Sequence, residues 1–297
     1  MITKTKVLII KLGYSETLDQ IISKECSLGD VVRTTVLLNY FRDNDNITWL
    51  CDEHAEPLLE GNPYIDRVLT WDFETALQLT REKFDVVINL EKGPAICALS
   101  DNIDAWQKYG FRFSDWQGKA EAHYNTEKVL EISQSPLKRD KNTKYWQEHI
   151  AKVINRHWSI KDTYVMKDRK QEIMHEYGLN WRVGKKWPEK EWGEYNWQVL
   201  GEELRKLNKE SKTQAVCRQP ELGLMEYMDW IASCRNIITC DSLGMHLAIA
   251  YGRNVIALFG PTNAQEVFFY DKGRAVVSKD GKMSSITIGD VLKEIQA

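Results

Sequence analysis

The chain has 297 residues, 43% hydrophobic and 28% charged, which suits about two globular domains and excludes a wholly disordered chain. Its 40 Lys+Arg against 43 Asp+Glu leave a net charge of −3, without the basic footprint of a nucleic-acid binder. Six cysteines with no CxxC pair read as reduced cytoplasmic thiols rather than a zinc site or a disulfide framework.

Met1 to Lys6 runs directly into a strand-like segment with no apolar signal region. No stretch stays apolar for the roughly 18 residues that a membrane span needs. The expectation is a cytoplasmic protein, at most peripheral to the inner face of the membrane. Val7–Ile10 is a β-branched apolar run, as in a buried parallel strand. Gly29–Asp43 carries Val32, Val36, Leu37 and Tyr40 at helical spacing. Strands follow at Ile47–Cys51, Arg67–Trp71 and Asp85–Leu90. Helices are expected at Glu53–Glu60, at Phe73–Arg81 and after the Gly93-Pro94 turn. This alternation describes βαβ units on a parallel sheet.

Residues 114–160 are polar, charged and Trp-containing, with a helix expected near Thr143–Ile154, and read as a bridge. The alternation then restarts with a strand at Tyr177–Val183 and one long helix at Pro188–Leu207. Next come a strand at Ala215–Cys217, a helix at Leu224–Ala232 and a strand at Asn236–Cys240. A helix at Ser242–Tyr251, a strand at Val255–Phe259 and a helix at Ile288–Ile295 close the chain. The reading is two Rossmann-like α/β domains, 1–158 and 159–297, facing a central cleft, with the last helix a candidate to pack back on the first domain.

Three constellations carry chemistry. In the strongest, a strand ends at Cys240 and Asp241-Ser242-Leu243-Gly244 turns into a helix containing His246. A helix start exposes unpaired N–H groups and partial positive charge, which suits an anion; the same residues also suit a plain helix cap. Gly260-Pro261-Thr262 is a second turn at a strand end. The second constellation, Gly184-Lys185-Lys186-Trp187-Pro188, sets two lysines beside a helix start, as a diphosphate clamp or as solvated charge. In the third, Cys26-Ser27-Leu28-Gly29-Asp30 opens a helix with an acid, a cap or a general base. Eleven tryptophans serve packing or sugar stacking alike. Lys282-Met-Ser-Ser285 imitates a synthetase lysine loop but lacks its companion His-x-Gly-His, and Lys11-Leu-Gly-Tyr-Ser15 is no dinucleotide fingerprint.

In this order, the three motifs resemble glycosyltransferase family 9, the bacterial ADP-heptose:lipopolysaccharide heptosyltransferases. Val7–Lys11, Gly29-Asp30 and Thr34-Thr35 are similar to the family's opening pattern. Lys185-Lys186-Trp187-Pro188 is similar to its Lys-x-Trp-Pro, and Asp241–Leu247 with Leu258–Thr262 to its Asp-Ser…His-Leu and Gly-Pro-Thr block. The resemblance implies a GT-B fold and inverting, metal-independent transfer of a sugar from a nucleotide donor, commonly ADP-heptose. The acceptor would be a cell-surface glycan or glycolipid of lipopolysaccharide type, with no further cofactor. It implies that Asp30 deprotonates the acceptor and that Lys185 and Lys186 hold the diphosphate. Asp241 would bond the sugar, the N–H groups of Ser242, Leu243 and Gly244 would cradle phosphate, and His246 would support that loop. Thr262 completes the donor side, and Gln219 or Glu221 would meet base or ribose. The family's loop before Asp30 is shorter, so Tyr14–Glu25 is an insertion on the acceptor side. In this chain, Leu243 precedes the signature glycine. A sugar-nucleotide epimerase or hydrolase, and a non-catalytic nucleotide-sugar binder, are the alternative functions.

Overall fold

A computed structural model describes residues 4–14, 25–41, 45–134, 139–184, 186–207, 214–221 and 223–296. The chain divides into two compact units, Met1–Lys167 and Asp168–Ala297. The division falls later than the expected 158/159. Residues 163–165 are tied to the first unit: Asn39 Nδ2 donates to Thr163 O at 2.7 Å, Val165 N to Thr35 Oγ1 at 3.0 Å and Asn62 Nδ2 to Val165 O at 2.8 Å.

The first unit holds strands β1 (Lys6–Ile10), β2 (Asn46–Cys51), β3 (Arg67–Thr70), β4 (Lys83–Asn89), β5 (Asp104–Ser114) and β6 (Lys119–Ala122), in the order β3-β2-β1-β4-β5-β6. The first five are parallel and β6 pairs antiparallel with β5. Helices α1 (Leu28–Thr34), α2 (Glu56–Leu59), α3 (Phe73–Leu79), α4 (Pro94–Asn102), α5 (Glu127–Gln134) and α6 (Trp146–Val153) accompany them. The expected Gly29–Asp43 helix tightens after Thr34 into a 3-10 helix at Thr35–Tyr40. Val7 to Ile10 are fully buried, as the continuous apolar run requires of a central parallel strand. Leu8, Ile10, Leu50, Val87, Ile96 and Leu99 pack into one cluster between strands and helices.

The second unit is wholly parallel. Strands β7 (His175–Asn180), β8 (Gln214–Arg218), β9 (Cys234–Cys240), β10 (Asn254–Phe259) and β11 (Gly273–Val277) run in the order β11-β10-β9-β7-β8. Helices α7 (Glu194–Leu207), α8 (Leu224–Ser233), α9 (Leu243–Ala250) and α10 (Ile288–Gln296) complete it. The segment expected as one helix from Pro188 is broken. A 3-10 turn occupies Pro188–Lys190, and Gly193, at φ 88°, redirects the chain before α7 begins. Trp192 and Trp197 then meet edge to face at 5.1 Å in the core, where Trp192 Nε1 donates to Ile286 O at 2.8 Å. The last helix lies within this unit: Val291 of α10 is buried in the same cluster as Leu200 of α7 and Val276 of β11. Met283, in the synthetase-like tetrapeptide, is a core residue packed over Gly260.

Candidate functional site

In the second unit the chain runs from β7 outward to β8 and returns past β7 to β9. The topological switch therefore lies between β7 and β9, where parallel sheets open a crevice at their carboxyl ends. Asn180 closes β7 there, and Asp241-Ser242 leave β9 there to start α9. Met245 N turns back onto Ser242 O at 3.1 Å. Among the described residues, the N–H groups of Leu243 and Gly244 find no acceptor, which leaves the partial positive charge of the helix start unanswered.

Ser242 occupies the cap position, but its side chain makes no capping hydrogen bond. Its Oγ accepts instead from Asn180 Nδ2 at 3.0 Å and lies 3.1 Å from Thr239 Oγ1. Asn180 Nδ2 also donates to Thr239 Oγ1 at 2.8 Å, and Tyr227 OH of α8 donates to Asn180 Oδ1 at 2.7 Å. This network fastens the start of α9 to β7, β9 and α8. Gly244 makes room for it. A Cβ there would stand 2.3 Å from Asn180 Nδ2 and 2.6 Å from Tyr227 OH.

Asp241 is the charged centre of this edge. Its Oδ2 is 2.7 Å from Lys190 Nζ, with side chains 17% and 15% exposed, and the same ammonium donates to Asp241 O at 3.3 Å. Burial alone would raise the Asp241 pKa. The Lys190 charge, the His246 charge and the hydrogen bond from Lys190 outweigh it and hold the carboxyl well below the usual carboxylate range. Thr262 also favours the ionised form, although its buried Oγ1 has no bond of ordinary geometry. His246 itself is buried on α9.

Beside this centre, at the end of β8, Gln219 Oε1 accepts from Arg182 N at 3.2 Å and Gln219 O from Trp181 Nε1 at 3.3 Å. Trp181 carries the guanidinium groups of Arg182 and Arg218 at 4.6 and 4.5 Å from its ring centroid. Glu221 is an exposed carboxylate paired with Arg182 at 2.5 Å, and that pairing lowers its pKa.

The first sheet has its own switch point, between β1 and β4. Glu91 sits there fully buried, 3.3 Å from Lys11 Nζ, and accepts from the N–H groups of Leu12 and Gly13 at 2.9 and 3.0 Å. Asp30 stands in the first turn of α1, its Oδ1 2.8 Å from Arg33, whose guanidinium lies 4.5 Å over the Trp146 ring. Nearby, Tyr14 bonds Asp52. Burial and then that carboxylate push the phenol up to about 12. Burial also pushes the Cys26 thiol up to about 12, which makes it a poor nucleophile.

Residues 192–295 match the family described as glycosyltransferase family 9 (heptosyltransferase). The match lies wholly within the second unit. A lipooligosaccharide heptosyltransferase 2 of Haemophilus influenzae is 35% identical over 95 residues, which span 31% of this chain and 28% of that protein. Across both units the likeness is one of fold. E. coli heptosyltransferase WaaC with ADP aligns over 98% of this chain and 99% of its own at 15% identity and TM-score 0.63. E. coli ADP-heptose lps heptosyltransferase II aligns over 98% and 97% at 16% identity and TM-score 0.66. The fold is the GT-B type, two Rossmann-like units in one chain.

Of the family 9 signature residues, Asp241, Ser242, Leu243, Gly244, His246 and Thr262 come together at one sheet edge, and Gln219 and Glu221 lie at the same edge one strand beyond β7. Asp30 belongs to the first unit. Lys185 and residues 15–24 of the expected insertion lie outside the described residues, and Lys186 is half-buried in the turn before Trp187. The plain-cap alternative for Ser242 does not hold, because its side chain joins the network with Asn180 instead, and Gly244 leaves room for Asn180 and Tyr227. The sequence reading missed Lys190, Asn180 and Tyr227. Lys190 was hidden in what read as a continuous helix. Asn180 could have been found as the one polar residue closing an otherwise apolar strand end.

Proposed function

We propose that the chain is a glycosyltransferase that moves a sugar, heptose in the first instance, from an ADP-linked donor to a lipooligosaccharide-type acceptor, with inversion at the anomeric carbon. The observation that carries this reading is the Asp241 carboxylate, held by Lys190 at 2.7 Å, beside the open N-terminus of α9 at the switch point of the second sheet. A carboxylate accepts hydrogen bonds from sugar hydroxyls, and free N–H groups receive the diphosphate. As the anomeric C–O bond breaks, negative charge grows on the leaving diphosphate. Those N–H groups, with Lys185 and Lys186, stabilise it more than they stabilise the ground state. The acceptor hydroxyl attacks from the opposite face and gives up its proton to Asp30. That proton transfer exchanges the Asp30–Arg33 ion pair for a weaker neutral contact. Among the described residues, no three His, Cys, Asp or Glu side chains are grouped as metal ligands, and no helix is long and apolar enough to cross a membrane.

The test incubates the full chain with ADP-heptose, with and without heptose-free lipooligosaccharide core, and follows ADP release and acceptor mass. ADP release that requires the acceptor, together with acceptor mass gain of one heptose, supports the reading. Release without acceptor replaces it with a hydrolase. No release in either case, with no binding of ADP-heptose, overturns it.

A further inference from the structure

The pairing of Lys190 with Asp241 joins two segments that are far apart in the chain. Lys190 ends the turn at Pro188–Lys190, and Asp241 follows β9. The ammonium reaches two oxygens of one residue, Oδ2 at 2.7 Å and the backbone O at 3.3 Å. A single lysine on both atoms fixes the carboxylate plane relative to the backbone, and so relative to the start of α9. Trp187 lies beside the same ammonium, 5.9 Å from ring centroid to Nζ.

We propose that Lys190 is a positioning residue: it locks the Asp241 carboxylate in the orientation that receives the donor sugar, and ties the Pro188–Lys190 turn to the start of α9. This rests on the reading of Asp241 as the residue that bonds the sugar. Lys190 does not itself touch the donor; it acts through Asp241. The groups around Asp241 are Lys190 and Glu191 from the turn, His246 from α9, Thr262 from the loop after β10, and the Cys240 thiol before it. Without Lys190, the burial of Asp241 loses its largest opposing charge, and a half-buried carboxylate takes up a proton more readily. A protonated Asp241 presents a rotating hydroxyl where a fixed acceptor stood.

The experiment compares wild type, Lys190→Met, Lys190→Arg, Asp241→Asn and the Lys190→Met/Asp241→Asn double variant as full-length chains. Carboxyl-carbon NMR of the ligand-free protein, with the Asp241 signal assigned by its loss in Asp241→Asn, follows ionisation directly. The wild-type signal stays ionised down to the acid limit of the fold, Lys190→Met moves its titration upward, and Lys190→Arg restores it. In turnover with ADP-heptose, Lys190→Met raises KM tenfold or more with little change in kcat, and the penalty grows from pH 8 towards pH 5. Lys190→Arg recovers most of the loss. In the Asp241→Asn background, Lys190→Met adds nothing further. The double variant replaces an ion pair by neutral partners, so it reports even if Lys190→Met alone fails to fold. A wild-type titration and KM in Lys190→Met overturn the proposal. So does a KM penalty that persists undiminished on Asp241→Asn, because Lys190 then acts on the donor directly. If no variant and no wild type binds ADP-heptose, the transferase reading fails, and the NMR arm still decides whether Lys190 governs Asp241.

Discussion

Asp30 and Asp241 are both acids at helix starts, and the structure treats them differently. Asp241 meets a lysine from another segment, whereas Asp30 meets Arg33 one turn along its own helix. An i,i+3 pair is local, and α1 would keep its shape with a neutral side chain there. Asp30→Asn should therefore leave ADP-heptose affinity, read by calorimetry, at the wild-type value, and lower turnover by about a hundredfold or more. Wild-type turnover in that variant would remove Asp30 as the base. Asp30 and Asp241 were legible from sequence because an acid next to a glycine or serine at a strand-to-helix turn is a local pattern. Lys190 was not. Its role depends on Gly193 at φ 88°, which turns an expected helix into a turn and a separate helix, and helical periodicity does not report that break.

At the scale of elements, the strands that were legible are the central ones. β1, β9 and β10 are buried along most of their length and read as apolar runs. β5 was not legible. It lies towards the edge, alternates polar and apolar residues, and contains Gly110 at φ 91° pressed against Asn89, where a Cβ would stand 1.8 Å from the Asn89 carbonyl oxygen. Edge strand β11, Gly273–Val277, hid for the related reason that only one of its residues is buried. The start of α9 depends in the same way on its neighbours, through Asn180 and Tyr227. Gly244→Ala would force both side chains away, because its Cβ lands within 2.6 Å of each, and should cost about 1–3 kcal/mol of stability. A thermal or urea melt reads that loss, and the variant should also bind ADP-heptose more weakly. An unchanged melt would mean that the network moves at no cost and does not hold the helix.

Across the molecule, the groups proposed for the reaction come from both units. The second unit carries the family 9 match, the open helix start and the Asp241 centre, and the first carries Asp30 and a buried Lys11–Glu91 pair that braces the end of β1. The carboxyl edge of the second sheet is proposed to bind the nucleotide sugar through Asp241. The most direct test is a calorimetric titration of ADP-heptose, with ADP and UDP-sugars as controls, into wild type and Asp241→Asn, with a melt of each to verify folding. Wild type should bind ADP-heptose in preference to UDP-sugars. Asp241→Asn should weaken ADP-heptose about tenfold or more, ~1.4 kcal/mol or above, with a smaller effect on ADP, which lacks the sugar. Equal ADP-heptose affinity in the two proteins, both folded, would contradict the proposal.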